Sequence, residues 1–451
     1  MFNSLANVMN FLWGTPLISF MVAAGIYFSL KTGVFQLSHA RHIYRRTFGS
    51  LFGKYKEEAE GEGTLTPFQS MSAVLAGTIG SGNIAGIASA IAIGGPGAAF
   101  WMWVIAFVGM AIKMVETSLS VQFRHKGENG EYYGGPMYYM KEGIGGQFGK
   151  VLAVIFTIAL LVIVLVDGTF VQPNTLATTL YDVTGTSTVI AGIICAVIGA
   201  GVIFGGLKGI GNFCGKMVPP MVVIYIIGTL GVIIGHIDQI PEAFGMIFKY
   251  AFAPAPAAGG FVGATVSMAM ARGAARGIFS SEAGEGTSVT VHATAITEHP
   301  IHQSMWGIVE VFIDTFLVST LTALTVIVSG AIESGETGSI LTFTAFRTTW
   351  GSVGVGLLCA AVILFAFSSF LGFYIEYKTC IVYLFGEKSL RYLKYLYCVP
   401  PLLSATMAIE SVWTLADMAV GMVFIPNLIG LIALRKTFLK SFKEYKAKWN
   451  L

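Results

Sequence analysis

The sequence predicts an all-α polytopic membrane protein of eleven transmembrane helices, on three observations: a scarcity of charge, apolar runs of bilayer length, and basic residues gathered in alternate connections. Of the 451 residues, 55% are hydrophobic and only 11% charged, where an ordinary soluble domain carries about 25% charged residues. So few charges do not cover a water-soluble surface of this size.

The apolar residues fall into runs long enough for the ~20 residues of helix that cross a bilayer. Eleven such runs centre near residues 20, 80, 110, 164, 197, 227, 271, 317, 366, 400 and 424. A β-barrel would show strands of about 10 residues with an alternating pattern instead. The first run is preceded by MFNSLANVMN, which holds no Lys or Arg. It therefore lacks the basic flank of a cleaved signal and reads as a retained first helix. Cys195, Cys214, Cys359, Cys380 and Cys398 lie far apart with no CxxC pair. They read as small apolar packing residues rather than as a disulfide framework or a metal site.

Cytoplasmic connections collect Lys and Arg, and with an outer N-terminus the basic clusters all fall on the inner side. These are Lys31 to Lys56, Arg124 to Lys150, Lys208 with Lys216, Arg272 with Arg276, Lys378 to Lys394, and Arg435 to Lys448. Of the 27 Lys and Arg, only Lys113, Lys249 and Arg347 escape the pattern. A wrong helix count would scramble it. The pattern places the N-terminus outside and the C-terminus in the cytoplasm, with a basic tail suited to anionic lipid rather than nucleic acid. No oligomeric state is readable from it.

Two runs are broken by clustered glycine and polar residues. The second reads MSAVLAGTIGSGNIAGIASAIAIGGPG, with Gly77, Gly80, Gly82 and Gly86 around Thr78, Ser81 and Asn83. The seventh reads GATVSMAMARGAARGIFSSEAGEG, with Gly273, Gly277, Gly284 and Gly286. Glycine costs about 1 kcal/mol relative to alanine inside a helix, so this density favours unwound segments. Irregular backbone at that depth survives where it lines a protected cavity. Close helix packing through small residues is the competing explanation.

Five spans separate one broken run from the other, which gives the two halves opposite orientation. The arrangement is a five-plus-five inverted repeat preceded by one extra helix, and such paired breaks mark the binding site of a transporter. The expected organisation is an extra N-terminal helix and basic loop over 1–64, a first repeat over 65–240, a second over 241–436, and a basic tail over 437–451.

The motifs GTIGSGNIAGIASAIAIGGPGAAFWMW (77–103), VQPN (171–174), RGIFSSEAGEGTS (276–288), HPIHQS (299–304) and FAFSSFLGFYIEYK (365–378) resemble those of the alanine or glycine:cation symporters. The resemblance spans nearly the whole chain. It implies a leucine-transporter-like fold and sodium-coupled uptake of alanine or glycine by alternating access, with no organic cofactor. TIGSGN at 78–83 is similar to the unwound first helix of the leucine transporters, while the seventh run aligns less well with its counterpart.

An amino-acid zwitterion needs donors for its carboxylate and acceptors for its ammonium, and a broken helix supplies both from backbone. The expected carboxylate ligands are the Gly80, Ser81 and Gly82 amides. The Thr78 carbonyl and the carbonyls from Met270 to Gly273 face the ammonium, with Ala274, Gly277 and Ile278 beside them. Gln172, next to Pro173, reaches the cavity, or else satisfies the carbonyl that proline leaves without a donor; Asn174 is a second such polar group.

For sodium, the resemblance points to the carbonyls of Ala76, Ile79 and Phe365 and the hydroxyls of Ser368 and Ser369. On sequence alone a serine pair also fits helix packing or back-bonding. Asn83 either holds a second cation or hydrogen-bonds freed backbone.

Intramembrane charges need partners. Lys113 and Glu116, three apart, could pair along one helix face. Arg272 and Arg276 could pair with Glu282, or with Glu310 and Asp314. His292, His299 and His302 match no strong metal motif and read as a solvated inner loop. Small residues near the breaks, Ala85, Ala269, Ala271 and Ala274, suit a small substrate side chain without separating alanine from glycine. A proton-coupled carrier is the alternative, which the lack of His at span centres disfavours. A channel or a membrane enzyme would need other signatures, and neither HExxH nor GxSxG occurs.

Overall fold

The computed structural model describes residues 15–52, 60–405, 407 and 409–451, and each of the eleven apolar runs carries helix there. The stretch 1–10 and Lys54 and Lys56 lie outside the described residues. In chain order the main helices are α1 (Thr15–Lys31), α2 (Pro67–Thr78), α3 (Ile87–Gly94), α4 (Ala98–Gln122), α5 (Gly146–Val166), α6 (Gln172–Thr184), α7 (Thr188–Phe204) and α8 (Gly206–Gly235). There follow α9 (Ile240–Tyr250), α10 (Val266–Ser281), α11 (Pro300–Val311), α12 (Thr320–Val328), α13 (Gly338–Phe385), α14 (Leu390–Cys398), α15 (Ile409–Ala433) and α16 (Arg435–Lys448). Five helices are long and apolar enough to cross a membrane, or seven when each of two bent pairs is taken as one span, among the described residues. α1 and α7 are shorter apolar helices of 17 residues each.

Three helices are continued through π turns rather than straight α-helix: α3 is preceded by Gly82–Gly86, α5 and α6 are joined by Asp167–Val171, and α11 and α12 by Phe312–Ser319. Such turns insert a residue into the ladder and turn side chains out of register, and they concentrate at functional sites. The first two reach the same cavity, described below, and the third meets it through Asp314 and Ser319, which accept from Asn83. α13 is interrupted at Gly351, whose φ of 56° sets a short outer helix apart from the long span.

The basic connections share one end of the molecule, with one correction: Arg272, expected on the inner side, sits toward the other end, where a Cβ on Gly94 would lie 3.1 Å from its Cβ and the adjacent Gly95 packs on Ala255 and Phe261, because α10 begins at that end. Arg124 donates from Nη1 to the Ala295 carbonyl at 2.6 Å, and Gln69 Nε2 donates to Asn212 Oδ1 at 2.7 Å. Lys378 pairs with Glu131 in the turn of a small hairpin, β1 (His125–Lys126) and β2 (Tyr132–Tyr133). The tail helix α16 joins them: Lys448 reaches Glu298 at 3.1 Å and Tyr445 lies 2.7 Å from His42 Nε2. Burial, then the charge of Arg46, holds His42 down to about 4, so this clasp is neutral at pH 7. The opposite end carries α9 and the Ala255 to Ala264 turn, where Gly260 N–H donates to the Glu333 carbonyl at 2.5 Å.

One large apolar core runs through α2, α4, α5, α8, α11, α13 and α15, and a second lies at the α9 end among α3, α4, α12 and α13. Outside them Ile155, Ile158, Val197, Ile198, Ile227 and Ile234 are exposed. An outward-facing apolar belt of this kind is what hydrocarbon solvates and water does not.

Candidate functional site

The first break forms where the sequence leaves helix unsupported. α2 starts on a capping box, Thr66 Oγ1 accepting from the Gln69 amide at 3.2 Å and Gln69 Oε1 from the Thr66 amide at 2.9 Å. It stops at Thr78, where Ile79 turns to φ −80° and ψ 88°. The chain resumes at Gly82 with a 53° bend. Gly80 cannot gain a side chain without a shift, because a Cβ there would sit 2.7 Å from Ser369 Oγ.

Asn83 ties this break to the rest of the core. Its Oδ1 accepts from the Gly80 amide at 3.1 Å. Its Nδ2 donates to Asp314 Oδ1 at 2.6 Å and Ser280 Oγ at 2.9 Å, and Ser280 donates to Asp314 Oδ2 at 2.5 Å. Of the two roles expected for Asn83, the one the geometry displays is satisfaction of freed backbone. The Gly80 amide is thereby engaged, a correction to its place among the expected carboxylate donors. Asn83 is three residues away and its carboxamide reaches back, as capping side chains do.

Opposite, Ser81 Oγ donates to Gln172 Oε1 at 3.1 Å, and Gln172 Nε2 donates to Asp167 Oδ1 at 3.0 Å. Gln172 thus faces the cavity as expected. Asn174 does not: its Nδ2 donates to the Ser404 and Met407 carbonyls. α13 closes on the break from another side, where a Cβ on Gly372 would lie 2.5 Å from the Gly77 nitrogen. Ser369 Oγ donates to the Gly77 carbonyl at 3.1 Å and Ser368 Oγ to the Phe365 carbonyl at 2.8 Å. Ser369 thus touches the first break while Ser368 bonds within its own helix, and Ala76, Ile79, Phe365, Ser368 and Ser369 are all buried.

The second break lies elsewhere than the sequence suggested. α10 runs unbroken from Val266 to Ser281, through Met270, Gly273, Ala274, Gly277 and Ile278. The chain unwinds only at Glu282, in the left-handed region at φ 49°, followed by Gly284 at 93° and Gly286 at 75°. The reason is packing. A Cβ on Gly273 would lie 2.1 Å from the Ala98 carbonyl, and one on Gly277 3.2 Å from Ile105 Cβ. Those two glycines let α10 press against α4, the small-residue contact common between membrane helices. Ala274 and Ile278 are buried in the core, and Met270 is 39% exposed. The part of the seventh run that reaches the cavity is Phe279, Ser280, Glu282, Glu285 and Thr287.

The two breaks border one cavity, walled by Thr78, Gly80, Gly82, Asn83, Asp167, Gln172, Glu282 and Glu285 among others. It leaves about 20 Å³ for water centres, room for about one water.

A buried ionic cluster braces the second break. Lys113 Nζ lies 3.2 Å from Glu310 and donates to the Glu282 carbonyl at 3.1 Å and Ser288 Oγ at 2.7 Å. His292 Nε2 meets Glu310 Oε2 at 3.0 Å. Asn427 donates to Glu116 and to the Gly284 carbonyl, and Tyr139 donates to Asn427. Lys113 therefore pairs across helices with Glu310, not along its own helix with Glu116. Glu310 and Asp314 serve Lys113, His292 and Asn83 rather than the arginines. The Arg276 guanidinium instead lies over the Phe279 ring at 5.4 Å. Of the histidines expected in a solvated loop, His292 is fully buried, and His302 packs on Tyr445 and Trp449.

Asp167 and Glu285 were not singled out by sequence reasoning, although each left a signal. Asp167 is the one carboxylate in LLVIVLVDGTFV, and Glu285 follows a glycine within the broken run. An ionisable residue at membrane depth points to a function.

Comparison with known proteins agrees with this architecture. The sequence pattern of the sodium:alanine symporter family matches residues 1–450. A sodium/alanine symporter of Methanococcus maripaludis is 36% identical over 98% of this chain and 97% of its own length. A putative sodium/proton-dependent alanine carrier and a probable sodium/glutamine symporter, both of Bacillus subtilis, are 32% and 34% identical, each over 96% of this chain and over 90% and 88% of their own lengths. Among solved structures, the Eremococcus coleocola manganese transporter shares the fold with a TM-score of 0.52 at 12% identity, over 81% of this chain and 76% of that one.

Proposed function

Since the chain belongs to the sodium:alanine symporter family, a family of multi-pass membrane transport proteins, we propose that it is a sodium-coupled symporter of a small neutral amino acid, alanine or glycine. The observation that carries the reading is the meeting of two helix breaks on one buried polar cavity. A zwitterion finds there what it needs in a low-dielectric core, amide donors at one end and acceptors at the other.

In this reading the substrate carboxylate lies on the Ser81 and Gly82 amides at the head of the π turn. Gln172 orients it through Ser81, and the ammonium faces the Thr78 side of the break. Gly80 supplies clearance rather than a donor. Sodium binds the carbonyls of Ala76, Ile79 and Phe365 and the hydroxyls of Ser368 and Ser369, which turn from the backbone oxygens they now meet. Asn83 keeps its structural role, and Gly273, Ala274, Gly277 and Ile278 form the packed support behind Phe279 and Ser280, with Met270 on the partly exposed side of the same helix.

Eleven crossings, in two inverted sets of five over 65–240 and 241–436 after one extra helix, fit the gathering of basic connections at one end. The N-terminus is then outside and the C-terminus cytoplasmic. Transport proceeds by alternating access, with sodium and substrate stabilising the same closed state, so that each raises the other's affinity by the same factor.

The test is uptake of labelled alanine by proteoliposomes under a sodium gradient, a proton gradient, or neither. The reading expects accumulation with sodium alone. Accumulation with protons alone would replace it with a proton-coupled carrier, a reading favoured by the buried Glu285 and Glu376 oxygens that lack partners. No alanine uptake under any gradient would refute the substrate.

A further inference from the structure

Three carboxyl groups reach the wall of the central cavity: Asp167, Glu282 and Glu285. Two of them are engaged by the protein. Asp167 Oδ1 accepts from Gln172, and Glu282 Oε2 accepts from Thr287 Oγ1 and from the Ser288 amide at 3.2 Å. Glu285 is different. It is 3% exposed, and its Oε1 has no hydrogen-bond partner. A second, independent group on the same wall shares that condition: Thr78 Oγ1, on the opposite break and 7% exposed, has none either.

A buried acceptor left unmet costs about 1–3 kcal/mol, and more when charged. The Lys113 ammonium, close to the second break, is already held by Glu310, Ser288 and the Glu282 carbonyl. What the cavity lacks is therefore a small group that carries positive charge and donates several hydrogen bonds. A divalent metal fits poorly, because among the described residues no three His, Cys, Asp or Glu side chains converge on one point. A primary ammonium fits on every count.

We infer that Glu285, with the Thr78 hydroxyl on the same cavity wall, receives the ammonium of the transported amino acid and makes the site select for a protonated amine. This rests on the amino-acid reading of the cavity and adds to the Thr78 side of the first break a side chain from the second. The ammonium then bridges the two breaks, Thr78 on the first and Glu285 on the second, while the carboxylate stays on the first. Substrate binding draws the two unwound segments together.

The test compares Glu285→Gln and Glu285→Asp with wild type in proteoliposomes under a sodium gradient. Glu285→Gln, nearly isosteric, raises the KM for alanine at least tenfold while the sodium dependence changes little, and Glu285→Asp recovers part of that loss. Propionate, which is alanine without its ammonium, neither competes with alanine nor raises the melting temperature of the solubilised wild-type protein, whereas alanine does both. That last measurement needs no variant and stands even where a substitution impairs folding. An unchanged KM in Glu285→Gln, or stabilisation by propionate equal to that by alanine, overturns the assignment while leaving alanine symport intact. Failure of the wild type to take up alanine overturns both.

Discussion

The two broken helices solve one problem with opposite chemistry. The first break is built from neutral groups: glycine, threonine, serine and an asparagine that turns back on the Gly80 amide. The second is built from charge, with the Glu282 carbonyl capped by Lys113, that lysine balanced by Glu310, and Glu310 shared with His292. The difference follows from what each break exposes. At the first, the head of a π turn presents N–H groups, which one carboxamide can manage. At the second, α10 ends and presents carbonyls, whose partial negative charge favours a cation. A lysine placed there needs its own counter-charge, and a cluster grows.

The contrast can be broken most severely at the first site. Gly80→Leu fills the approach to Ser369 and is expected to abolish alanine uptake while the protein still reaches the membrane. Uptake above a tenth of wild type would show that the break tolerates a side chain and does not form the pocket. At the second site Lys113→Met leaves Glu310 buried with only His292 and the Ser288 hydroxyl against it. Removing one partner of a buried pair costs about 3–5 kcal/mol, to be read from denaturation of the solubilised protein. A loss under about 1 kcal/mol would mean the cluster is not bracing the break.

Asn83→Ala sharpens the comparison from the neutral side. It leaves the Gly80 amide and Asp314 short of a partner at about 1–3 kcal/mol for each unmet group. A KM for alanine raised roughly tenfold, equivalent to about 1.4 kcal/mol, is expected, and an unaltered KM would count against Asn83 as the keystone of the first break. The smallest effect belongs to Met270→Ala. On the unbroken, partly exposed stretch of α10 it should leave transport within about twofold. A large loss there would return the ammonium site to the middle of the seventh run.

Legibility divided along the same line. The first break was readable because Thr78, Ser81 and Asn83 stand among the glycines, and polar groups at membrane depth need a cavity or a partner. Its convergence with Ser369 came from the family resemblance and agrees with the observed contacts between Ser369 and Gly77. The second break was misplaced by about ten residues, because Gly273 and Gly277 look like Gly284 and Gly286 in one dimension. One pair faces the Ala98 to Ile105 surface of α4, while the other takes positive φ, and no pattern within the run distinguishes them. Lys113 offered the same ambiguity: Glu116 is near in sequence, but Glu310 is near in space.

By itself the sequence determined that this is a many-helix membrane protein with its basic connections at one end and a break in its second run. Hydropathy, charge placement and glycine's helix cost act residue by residue and so can be read along the chain. Only the tertiary structure decided where the seventh run unwinds, which carboxylate answers Lys113, and that Glu285 stands on the cavity wall with its Oε1 unmet. Those outcomes depend on which helix faces which, because a buried charge or a packing glycine takes its meaning from the neighbour that the fold brings to it.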